Sequence, residues 1–77
     1  MIETRTITAP GTMPLTERIS HVSKQILGWI RSLDEPFNFE KDQLKLTKFE
    51  HNTRGYAYHY VMVLHEDLSA SDVSNSH

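Results

Sequence analysis

The sequence predicts one small α+β domain of order β-α-β-β, and three observations carry that expectation. Leu15, Ile19, Val22, Ile26, Ile30 and Leu33 recur at steps of 4, 3, 4, 4 and 3, the spacing that lines one face of a helix. β-branched and aromatic residues crowd the segments on either side, from Ile2 to Thr8 and from Gln43 to Glu66. The chain has 77 residues and no cysteine, which leaves room for a single core and no disulfide to staple it. We place the domain at residues 1–67. The polar stretch 68–77 has little to pack and is expected to be a disordered tail. No internal repeat is visible.

The first strand, Ile2 to Thr8, follows from stiff β-branched side chains that suit a pleated surface. Ala9-Pro10-Gly11 ends it, because Pro10 offers no N–H to a ladder and Gly11 tolerates a turn. The Thr12 hydroxyl is placed to cap the helix, with Pro14 in its first turn and Glu17 near the positive end of its dipole. Arg18, Ser20, Lys24, Gln25, Gly28 and Arg31 form the outward face, so the helix is amphipathic. Asp34-Glu35-Pro36 stops it.

A second strand is expected from Gln43 to His51 and a third from Tyr56 to Glu66, joined by the four-residue loop Asn52-Thr53-Arg54-Gly55. That loop sets His51 opposite Tyr56, Phe49 opposite Tyr58, Thr47 opposite Tyr60 and Lys45 opposite Met62. One sheet face then holds Leu44, Leu46, Ala57, Val61 and Val63, an aliphatic set expected to receive the helix. The other holds Phe49, Tyr56, Tyr58, Tyr60, Met62 and Leu64, too apolar to face water and expected to be covered by a second copy, a ligand or a macromolecule. The first strand is expected to pair with the third in parallel or to lie at an edge.

Composition excludes several function classes. Eight basic and ten acidic residues give a net charge of −2, so no global field draws the chain to phosphate, and nucleic acid is a disfavoured partner. The longest apolar run, Val61-Met62-Val63-Leu64, is far short of a membrane span, and the acid at Glu3 with no apolar stretch behind it argues against a secretory leader. The expectation is a cytoplasmic chain. Without cysteine there is no thiolate zinc site or cysteine nucleophile. His59 and His65 share strand parity but are six residues apart, about 20 Å, too far for one ion. Gly11, Gly28 and Gly55 are isolated, so no phosphate-cradling loop exists, and no nucleophile sits on a recognisable turn. The reading is non-enzymatic, with no cofactor and no metal.

Arg54-Gly55-Tyr56-Ala57-Tyr58 resembles the opening of the RNA-recognition-motif signature, which implies Tyr56 and Tyr58 as a base-stacking platform and Arg54 as a phosphate contact. His59 and Val61 depart from that pattern. A strand, one amphipathic helix and a long hairpin within about 70 residues is also similar to the dodecin-type small proteins. That resemblance implies assembly of many copies; the one tryptophan, Trp29, falls on the helix and not on a strand, so flavin binding is not carried over.

The expected function is a small homo-oligomeric binding protein, an adaptor, regulator or inhibitor that occludes a surface of another protein. Its contact residues would be Phe49, Tyr56, Tyr58 and Tyr60, with Arg54 and Arg31 as charged anchors and Trp29 either at the core edge or standing out as an anchor. The alternatives are an oligomer that binds a flat-ring or nucleotide-like small ligand, and single-stranded nucleic-acid binding through Tyr56 and Tyr58.

Overall fold

A computed structural model describes residues 1–65 and gives the order β1 (Ile2–Ala9), α1 (Leu15–Arg31), β2 (Gln43–Asn52), β3 (Gly55–Val63). The tail expected from residue 68 lies outside the described residues. The strands form one antiparallel sheet of spatial order β1-β3-β2. α1 reverses the chain, so β2 runs in the direction of β1, and the tight hairpin then sends β3 back between them. β1 is therefore an edge strand, as expected, but it pairs with β3 antiparallel and not parallel.

Three local expectations are corrected. Pro14, extended at φ −66° and ψ 162°, precedes the helix with no side-chain cap, so the Thr12 hydroxyl does not serve there. Proline is tolerated at that position because it has no amide hydrogen to leave unpaired at the helix start. The hairpin loop is only Thr53-Arg54, because Asn52 and Gly55 already pair. The register holds for His51 with Tyr56 and Phe49 with Tyr58, then slips by one, giving Leu46 opposite Tyr60 and Leu44 opposite Met62. Thr47 is the extra residue of a β-bulge, and its hydroxyl donates to the His59 carbonyl at 3.0 Å.

The bulge overturns the expected division of faces. It moves Leu44 and Leu46 onto the side of Met62 and Tyr60, and the helix packs on that tyrosine face, not on an aliphatic one. Ile7, Ala9, Val22, Trp29 and Met62 are buried there, with Trp29 and Met62 wholly shielded from water. The helix contact line is also turned from the expected stripe, because Leu15 and Ile19 are 59% and 57% exposed while Arg18 is half-buried against the sheet. A side chain as large as Trp29, seated on β1, fixes that rotation. Its ring lies beneath the Arg5 guanidinium and its Nε1–H donates to Glu3 at 2.8 Å.

The opposite sheet face carries a polar chain across all three strands. His59 Nε2 donates to Glu50 at 2.9 Å, its Nδ1 shares a hydrogen bond of 2.9 Å with the Thr6 hydroxyl, and Lys48 reaches Glu50 at 3.2 Å. The His59 bond, then Lys48, hold the Glu50 carboxyl below its ordinary range. At the far end of the sheet, buried Asp42 accepts the backbone N–H of Asn38 and of His65 at 2.8 and 2.7 Å and the His65 ring at 2.5 Å. Burial by itself raises that carboxyl, but the His65 and Asn38 backbone bonds and the His65 ring outweigh it and hold the group at about 2.

Candidate interaction surface

The helix does not sit centrally on the sheet. It runs closest to β1, where His21 Nε2 meets the Thr8 carbonyl at 2.9 Å on the outer side of the strand. With Val22 and Trp29 pointing into the sheet and His21 on the β1 flank, the helical repeat puts Ile19, Ile26 and Ile30 on the opposite flank, towards β2. The β2 half of the tyrosine face is consequently open. Leu46 and Phe49 are 49% and 48% exposed on it, Ile19 is exposed on the helix flank that faces it, and Leu15 is exposed in the first turn of the helix.

Arg18 organises one end of this surface. Its guanidinium lies 3.8 Å from the centre of the Tyr56 ring, one N–H donates to the Tyr58 hydroxyl at 3.0 Å, and Nε–H donates to the Met13 carbonyl at 3.2 Å. Around it the aromatic rings of the hairpin pack on one another: His51 stacks on Tyr56 at 4.1 Å, and Phe49 lies 6.1 Å from Tyr56 and 5.0 Å from Tyr58. Tyr60, next along β3, has its hydroxyl pKa raised by burial and by its neighbour Tyr58. The surface is thus a largely aromatic floor, open on the β2 side, with a cation at one end.

Of the residues singled out from sequence, Phe49, Tyr56, Tyr58 and Tyr60 come together, and Phe49 is the most exposed of them. The faces of Tyr56 expected to stack on bases carry Arg18 and His51 instead. Trp29 is core and does not stand out as an anchor. Arg54 lies in the hairpin turn, where its N–H donates to Asn52 Oδ1 at 2.8 Å, and Arg31 is exposed in the last turn of α1 at the other end of the molecule, so the two cations do not converge. Sequence reasoning missed Arg18, Leu46, Leu15 and Ile19 as members of the surface. A signal for Arg18 existed in its four-residue spacing to Val22, but its charge assigned it to solvent.

Comparison with family models, curated proteins and solved structures gives no match to this chain. Among the described residues no group of three or more ligating side chains is placed to hold a metal ion, and no helix is long and apolar enough to cross a membrane.

Proposed function

We propose that this chain is a non-enzymatic, homo-oligomeric binding protein that acts by occluding an apolar surface of a partner protein, as an adaptor, regulator or inhibitor. The observation that carries the reading is the half-covered tyrosine face, on which Phe49 and Leu46 stand about half exposed beside Leu15 and Ile19. Apolar side chains grouped at one place on so small a protein mark an interaction surface. Its makeup, aromatic at the centre with an arginine at the margin, is that of protein interfaces. Its shape favours a protein over a small molecule, since an open ledge between a helix and a strand encloses little of a drug-sized ligand.

The test pairs native mass spectrometry with affinity capture from the source cells, using the intact chain and Phe49→Asp. The half-exposed position of Phe49 lets the variant fold, which circular dichroism checks. A protein retained by the wild type and lost at least tenfold in the variant supports the reading. Equal capture by both chains refutes this surface, and a small molecule released on denaturation replaces the protein partner with a ligand.

A further inference from the structure

The two edges of the sheet are treated differently. β2 is guarded against further strand pairing by the Thr47 bulge and by Lys45 and Lys48. β1 has eight residues, no bulge, no lysine and no proline, and its outward side carries Ile2, Thr4 and Thr6. The direction of its backbone groups is fixed by the pair next to its start: the Met1 amino group donates to the Leu64 carbonyl at 3.1 Å and the Leu64 N–H to the Met1 carbonyl at 2.8 Å. By strand alternation Glu3, Arg5 and Ile7 also address β3, while the N–H and C=O of Ile2, Thr4 and Thr6 point away from the sheet. Thr8, the next outward residue, has its carbonyl taken by His21, which closes the edge at that end.

We propose that a second copy of this chain pairs along β1, antiparallel, with Thr4 opposite Thr4 on a two-fold axis, joining two sheets into one of six strands. The inference gives a location to the homo-oligomeric part of the proposed function and rests on that part alone. Charge selects the register. Outward groups must meet outward groups, so neighbouring registers differ by two residues. Sliding one way sets Glu3 against Glu3, and sliding the other way sets Arg5 against Arg5. With Thr4 on the axis, each Glu3 faces the Arg5 of the other copy, Ile2 faces Thr6, and the pairing stops before His21 blocks Thr8.

The helix supplies a second, independent observation. The axis is perpendicular to the sheet, so both helices lie on the same face and meet side by side above the joined edges. The α1 flank on that side is His21, Gln25 and Gly28, and Gln25 and His21 line a shallow groove with Arg5, Thr6, Ile7 and Thr8. Apart from its chain neighbours and the backbone of its own helix, Gly28 has no atom within 4 Å of where a side chain would begin, so no packing inside the protomer calls for a glycine there. It lies one residue before Trp29, whose contacts with Glu3 and Arg5 put this turn of the helix over Thr4. A glycine near the two-fold lets the helices approach to the 8–10 Å that packed pairs require. The open Phe49 strip lies on the far side of each protomer, so pairing leaves both strips free.

The decisive experiment is sedimentation of the full chain and four variants, each first shown to be folded by circular dichroism. Wild type is expected to be a dimer. Thr4→Pro removes an N–H with no role inside the protomer and is expected to be monomeric. Gly28→Gln favours the helix but is expected to weaken the dimer at least tenfold. Arg5→Glu and Glu3→Arg each oppose like charges in their own homodimers and are each expected to be monomeric. Mixed together they are expected to dimerise, because the two acids on β1 of one variant then meet the two arginines on β1 of the other. A dimer that survives Thr4→Pro and Gly28→Gln overturns the edge pairing and leaves the homo-oligomeric reading standing. A monomeric wild type overturns both, and two variants that stay monomeric on mixing overturn the register.

Discussion

Gly55 shows how one residue decides a corner of this fold. It has φ +132°, a region that L side chains rarely adopt, and it lies where β3 begins beneath the end of β1. A Cβ there would collide with the Ala9 carbonyl oxygen and come within 3.0 Å of the Gly11 nitrogen, both main-chain atoms that cannot swing aside. Gly55→Ala is therefore expected to destabilise the protein by about 1–3 kcal/mol, with the β1–β3 ladder strained at its Ala9–Tyr56 end. Urea unfolding followed by tryptophan fluorescence reads this directly, since Trp29 is buried and reports on global unfolding. A midpoint within error of wild type would mean that the corner relaxes freely. Arg18 makes the complementary point: a charged residue belongs to the packed face when its stem lies along apolar surface and its head finds an aromatic ring and a hydroxyl.

At the scale of elements, the order β-α-β-β, the hairpin and the edge position of β1 were legible because periodicity and turn chemistry are local. Which sheet face meets the helix was not, because it hangs on a single inserted residue. Thr47 has the β propensity of its neighbours and carries no mark of a bulge, yet by slipping the register it transfers Leu44 and Leu46 to the other side. The helix rotation was equally hidden, since Leu15 and Ile19 fit the apolar spacing as well as Val22 does, and only the bulk of Trp29 seated on β1 breaks the tie. Of the candidate surface, the tyrosines and Phe49 were readable from strand alternation, and the residues bordering them were not. The junction of Asn38, Asp42 and His65 was not foreseen either, because its parts are 23 residues apart. It ties the loop before β2 to the end of β3, and it makes the fold sensitive to acid. The folded state favours the ionised Asp42, whose pKa is about 2, so the stabilisation is complete above the unfolded value of about 3.9 and is lost as pH falls through that interval. Asp42→Asn is expected to lower stability at neutral pH and to flatten the stability curve between about pH 4 and about pH 2. Chemical denaturation at a series of pH values would show it, and a variant curve parallel to that of wild type would assign the acid response to another carboxylate.

For the molecule as a whole, the core is thin: among the described residues the buried apolar side chains are Ile7, Ala9, Val22, Trp29 and Met62. Such a protomer gains little from its own interior, and half of its tyrosine face and the β1 edge from Ile2 to Thr6 stay uncovered. Pairing along β1 would couple folding to association, so that stability depends on protein concentration. If unfolding converts a dimer into two unfolded chains, each tenfold rise in concentration adds about 1.4 kcal/mol per dimer to the apparent stability. The midpoint of thermal unfolding is then expected to rise by several degrees over a hundredfold range of concentration in the wild type. In Thr4→Pro it is expected to be lower and independent of concentration, because that chain keeps every internal bond and loses only the outward one. A wild-type midpoint that does not move with concentration would mean that the thin core suffices alone, and that the open edge of β1 faces water as it stands.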